Sequence, residues 1–292
     1  MTRLTLALLT LSAVAALAGL LLAGSLGRRQ PAARAGDLVP AQFEDKALFL
    51  SPIKQAKDAP SRETVTGLIV PHHLLARDLM AAGYNFASRG KFESVLLISP
   101  DHFGLGETDV SVVEGGFATV FGELAADSAT VKGLERLPFV RAASFAYREH
   151  GIGAELPFIK YFFPDVKVTA VTLKAAVTRR ELDELVDDLK RMLKPDTLVI
   201  QSTDFSHSLT PGQADVRDRQ TEKVLETGDA AGLLALDQPS NIDSAAAQYV
   251  QTRLQNEFFG SKFRLLDHGN SQDYAKEPVV SSTSYFVAAY VK

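Results

Sequence analysis

From Thr64 to the C-terminus, short unbroken apolar runs alternate with segments whose apolar residues recur every three or four positions. Leu68-Ile69-Val70 and Val95-Leu96-Leu97-Ile98 read as buried parallel strands, and Leu74 to Ser88 between them has helical spacing that ends near Gly90. Together they predict a βαβ unit. Val110–Val113 and Phe117–Val120 flank Gly115-Gly116 as a hairpin, followed by a helix near Ala125–Leu137. Glu155–Phe163 reads as helix and Val166–Leu173 as strand. Thr178 and Glu181 have capping-box spacing and open a helix to about Leu193, which leads into a strand at Thr197–Gln201. Helices at Gly212–Glu226, Asp229–Leu236 and Ser244–Phe258 and strands at Phe263–Leu266 and Ser282–Val291 complete the pattern. This alternation predicts a single α/β domain with a mostly parallel central sheet flanked by helices.

Upstream the pattern changes. Residues 4–26 carry no charge and as a helix would cover roughly 35 Å, enough to cross a bilayer. Residues 1–27 are therefore read as a membrane anchor or signal peptide. The apolar run exceeds the usual 7–15 residues of a signal peptide, which favours the anchor, although Ala33-Arg34-Ala35 offers a small-residue cleavage site. Arg3 on one side and Arg28, Arg29 and Arg34 on the other leave the positive-inside rule undecided. An ordinary signal anchor would place the soluble domain outside the cytoplasm. Residues 28–62 read as a linker with a short extended piece at Ala47–Leu50, and the folded domain as 63–292.

A net charge of −4 without a long basic run gives no reason to expect nucleic acid. Cysteine is absent, which excludes disulfides, thiolate metal sites and a cysteine nucleophile. With six histidines in the chain, their placement is informative. His72 and His102 each follow a strand and a proline, at corresponding ends of neighbouring strands. Such ends form the ligand crevice of an open α/β sheet, and two imidazoles facing one crevice suggest a metal. Either alone could simply bond a backbone carbonyl or face solvent. His73 should point away from His72. In Ser202-Thr203-Asp204-Phe205-Ser206-His207, Asp204 could orient His207 or merely cap a turn. Glu149 beside His150 could fix a tautomer or complement a helix N-terminus. Asp243 or Ser244 is locally an N-cap. His268 faces the same crevice or the surface. Dinucleotide, Walker A, nucleophile-elbow and HExxH patterns are absent.

Five stretches in order, PHH (71–73), LLISPDHF (96–103), EHGIGAELPFI (149–159), STDFSH (202–207) and LLDHGNSQD (265–273), resemble the MEMO family, also called AmmeMemoRadiSam system protein B. The resemblance runs from about Leu68 to the C-terminus. It implies the fold of the class III extradiol dioxygenases, which hold non-haem iron with two histidines and a carboxylate, and a metal site of iron or copper. Carried across, His72 and His102 are metal ligands and His207 lies beside the metal as base or as a hydrogen-bond donor behind the ligands, oriented by Asp204. Asp243 stands where the family usually has a cysteine ligand. Two imidazoles and a carboxylate suit Fe(II), with copper or zinc as alternatives, whereas a thiolate would favour softer ions. Gly153, His73 and His268 also depart from the family residues Glu, Ala and Tyr. The implied function is a non-haem metal-dependent redox enzyme whose substrate is not readable. The rival is a non-catalytic module holding a peptide or small anion, and metal-assisted hydrolysis is the third reading. The family name suggests a radical-SAM partner.

Overall fold

The apolar runs lie side by side in an eleven-stranded sheet. The computed structural model describes residues 38–56, 59–143 and 148–292. At the centre are four parallel strands in the spatial order β1 (Val65–Val70), β8 (Thr197–Ser202), β2 (Ser94–Pro100) and β7 (Lys167–Leu173). Every residue of β1 and β8 is buried, because helices cover both faces, so their sequence shows apolar runs rather than alternation.

Side-chain parity divides the core. Val95, Leu97, Leu198 and Ile200 point to one face, where they pack with Met80 and Tyr84 of α2 (Arg77–Ala87) and Phe158 of α5 (Leu156–Phe162). Leu96, Ile98 and Val199 point to the other, against Leu182 and Leu185 of α6 (Arg179–Met192) and Tyr249 and Val250 of α9 (Ala245–Leu254). Thr178 and Glu181 form the expected capping box on α6.

The sheet is parallel at its centre and mostly antiparallel at its margins. β11 (Ser282–Val291) runs antiparallel to β1 and pairs with β10 (Lys262–Asn270), while β3 (Val110–Val112) runs antiparallel to β7 and parallel to β6 (Val140–Ala142). β1 and β2, expected as neighbours, are separated by β8. Sequence spacing shows a crossover but not that a strand more than a hundred residues later enters the gap. The insertion matters for the site, because the Ser202–His207 loop emerges between the two histidine-bearing strand ends.

Three local expectations are corrected. Gly115-Gly116 does not close a hairpin; β4 (Phe117–Thr119) instead turns back on β5 (Gly122–Ala126). Gly122 takes the turn with φ +120, and Gly116 is needed because a Cβ there would lie 2.8 Å from the Leu124 carbonyl oxygen. Residues 125 and 126 consequently belong to β5, and helix α3 (Ser128–Leu134) starts after the Asp127 cap. Ala47–Leu50 is not extended but opens helix α1 (Ala47–Gln55), whose Phe49 is buried edge-on against Phe158 at 5.4 Å. Val39, also in the expected linker, bridges to Phe117. The apolar segment 4–26 lies outside the described residues. Among the described residues, no helix is long and apolar enough to cross a membrane.

Candidate metal centre

The site forms where β1, β8 and β2 end. As the chain leaves β1, the His72 amide donates to Asp204 Oδ1 at 3.2 Å, and Thr203 N donates to the Val70 carbonyl at 3.0 Å. The loop after β8 is thereby tied to the end of β1. After β2, Asp101 accepts from Leu105 N (3.1 Å) and Gly106 N (2.9 Å), closing the loop that presents His102. His72 and His102 then meet edge to face with ring centroids 4.6 Å apart.

Each imidazole is held at Nδ1. His72 Nδ1 lies 3.2 Å from Ser202 Oγ, and His102 Nδ1 lies 2.6 Å from Glu149 Oε1. Both therefore turn Nε2 towards the Asp243 carboxylate, whose Oδ2 is 3.2 Å from His72 and 3.5 Å from His102. Glu149 performs both roles weighed for it: it also accepts from the Gly151 amide at 3.0 Å as N-cap of helix α4 (His150–Gly153). Fully buried, it is positioned by the start of one helix to orient an imidazole from a strand end.

Asp243 is not the cap of α9. Ser244 takes that position, its Oγ accepting from Ala247 N at 3.1 Å. Asp243 instead receives a hydrogen bond from Thr203 Oγ1 and one from Asp204 N at 3.2 Å, and its own amide donates to the Asp204 carbonyl. These bonds fix the carboxylate facing the histidines.

His150 is the residue undervalued by sequence reasoning. Its ring lies 4.1 Å from His102 and 4.9 Å from His72 between centroids, and one ligand nitrogen from each of the three lies within 4.8 Å of the others. The signal was its place beside Glu149, at the start of a helix. Side-chain exposure rises from 2% at His72 through 20% at His102 to 35% at His150, so the site opens on the His150 side. Phe103, half exposed, stands 5.9 Å from the His150 ring there.

The remaining candidates have partners of their own. Asp204 lies at the site but faces His72, its Oδ2 3.8 Å from Nε2. His207 opens strand β9 (His207–Leu209) and places Nδ1 2.7 Å from the Phe205 carbonyl oxygen, which directs the ring in place of Asp204. Among the described residues, no hydrogen bond or ion pair joins His207 to Asp204, because the Asp204 carboxylate is turned back to the end of β1. His73 points away as expected and lies 2.7 Å from the Tyr285 hydroxyl. His268 pairs with buried Asp218 at 2.9 Å, not with the three imidazoles.

Electrostatics follow from this packing. Burial opposes a proton on His102, but hydrogen bonds to Asp243 and Glu149 outweigh it and push the imidazole up to about 10. His72 also rises, burial being overcome by Asp204 and Asp243. Burial favours the neutral acid of Asp243, yet hydrogen bonds from His102 and His72 hold it far below the usual carboxylate range. His150 is pushed down to about 4, first by burial and then by the charges of His72 and His102. The carboxylates of Asp243, Asp204 and Glu149 thus hold protons on His72 and His102, where an ion would bind.

The donor set fits a divalent first-row metal. Two donors each about 2.1 Å from one ion lie roughly 3.0–3.4 Å apart at octahedral or tetrahedral angles, close to the two Asp243–imidazole separations. Nitrogen and carboxylate donors without sulfur suit iron, zinc or divalent copper.

Comparison with known proteins agrees with the sequence resemblance. The family model described as Memo-like protein matches residues 29–289. A MEMO1 family protein of Methanopyrus kandleri is 26% identical over 247 residues, covering 77% of this chain and 83% of the relative. One from Aquifex aeolicus is 26% identical over 276 residues, covering 89% and 72% respectively. Among solved structures, an uncharacterized protein from Escherichia coli K12 matches with a TM-score of 0.49 at 11% identity, covering 78% of this chain and 100% of its own. With nearly the whole chain from the first strand onward matched, and the motif residues assembled at one sheet end, the chain belongs to the Memo-like protein family.

Proposed function

We propose that this chain is a non-haem metal-dependent redox enzyme in which His72, His102 and Asp243 hold the ion, most favourably Fe(II). The observation that carries this reading is the single Asp243 oxygen facing Nε2 of both histidines at 3.2 and 3.5 Å. A divalent iron bound there would supply electron transfer and Lewis acidity. The protein's own residues do the rest. Ser202 and Glu149 hold the Nδ1 atoms of His72 and His102, leaving Nε2 of each to the ion. His150, kept unprotonated at neutral pH on the open side, accepts a substrate proton, and Phe103 offers an apolar surface beside it.

Metal analysis of the purified chain tests this directly. Stoichiometric iron, retained in His150→Ala and lost in His72→Ala and His102→Ala, is the expected result. Loss of metal from His150→Ala would make His150 a ligand rather than a base, and an empty parent would favour the non-catalytic module. The N-terminal apolar segment would tether this domain to a membrane; recovery of the intact full-length chain in the soluble fraction would refute the tether.

A further inference from the structure

The opposite end of the parallel sheet carries a groove of about 630 Å³. Val65 begins β1 there, Asp196 precedes β8 and Phe92 precedes β2, so it lies across the sheet from the strand ends that bear the metal centre. Arg62, Arg89 and Lys91 line it, all exposed and none with a hydrogen-bond or ion-pair partner among the described residues. The lining acid Glu63 is taken up by Arg264, at 2.9 Å for one of the two contacts. On a chain with a net charge of −4, the groove is thus a local positive concavity. One further feature gives it chemical character. Phe86 and Phe92 form a partly buried apolar wall. Asp196, the other lining acid, has Oδ1 sealed from solvent, out of reach of the groove.

We propose that this groove binds a small organic phosphate with a flat apolar body. The phosphate lies among Arg62, Arg89 and Lys91, and the body lies against Phe86 and Phe92. The site is separate from the metal centre and does not rest on the function proposed above.

Isothermal titration of the full chain with adenosine 5′-monophosphate, phenyl phosphate, inorganic phosphate and dihexanoyl phosphatidylglycerol tests it. Adenosine monophosphate should bind most tightly, phenyl phosphate next and inorganic phosphate least. Arg89→Glu combined with Lys91→Glu, both at exposed positions, should weaken the nucleotide at least about tenfold. Metal content should be the same in the double variant, so loss of the metal reading would leave this result standing. No binding of any free phosphate, equal nucleotide binding by the double variant, or binding of the lipid alone would each overturn the proposal.

Discussion

Asp243 Oδ2 lies 3.2 Å from Nε2 of His72 and 3.5 Å from Nε2 of His102, and the Thr203 hydroxyl holds the other oxygen of the same carboxylate. The carboxylate thus comes from the turn before α9, its anchor from the loop after β8 and its two partners from the ends of β1 and β2. Four distant stretches must fold correctly before the site exists.

Thr203→Val keeps the side-chain shape and removes the hydroxyl that anchors Asp243. Metal affinity should fall about 10–100-fold while the ligands themselves remain. Titration with a competing chelator measures it, and unchanged affinity would mean that the Asp204 amide alone suffices to place the carboxylate.

Glu149→Gln separates orientation from capping. An amide oxygen can still accept from Gly151 N, so the cap is kept, whereas losing the carboxylate on His102 Nδ1 should cost metal affinity about 10–100-fold. Glu149→Ala should additionally lose about 1 kcal/mol of stability through the missing cap. Equal stability of the two variants would contradict a capping role.

The raised His102 imidazole gives a pH dependence with a definite sign. Its folded-state value of about 10 exceeds the ordinary 6.5, so its contribution to the metal-stripped protein is fully present below pH 6.5 and lost as pH rises through about 10. Thermal midpoints of the metal-stripped chain should therefore fall over that window more steeply than those of His102→Ala. Metal binding must displace this proton, so affinity should rise with pH across the same range. Parallel profiles for parent and variant would contradict the assignment.

Phe49→Ala tests the helix found where an extended linker piece was expected. Removing a fully buried aromatic that packs on Phe158 should destabilise the domain by about 3–5 kcal/mol. Chemical denaturation should show it, and a change below about 1 kcal/mol would mean that α1 is not part of the cooperative core.

The histidine pair was legible because proline and histidine follow two unbroken apolar runs, a local pattern that strand geometry explains. Asp243 was not legible locally: as one of two capping-type residues before a helix, it read as a cap, and only its alignment with a family cysteine marked it as a ligand. In the structure the cap falls to Ser244. The insertion of β8 between β1 and β2 was hidden, because burial on both faces leaves the strands no alternation by which to read their neighbours. Glu149 and His150 were visible as a pair, but whether either faced His102 depended on the angle at which α4 meets the end of β2. The same limit applied to Asp204, which has His72 and His207 within reach in sequence terms and selects His72.

The central assignment is that Asp243 is a metal ligand rather than a helix cap. Metal occupancy of Asp243→Asn and Asp243→Cys, measured after loading with Fe(II), Cu(I) and Zn(II), tests it most directly. Asn should weaken binding sharply, because a neutral amide oxygen replaces a charged carboxylate, and Cys should shift selectivity towards Cu(I). Occupancy and selectivity unchanged from the parent in both variants would contradict it.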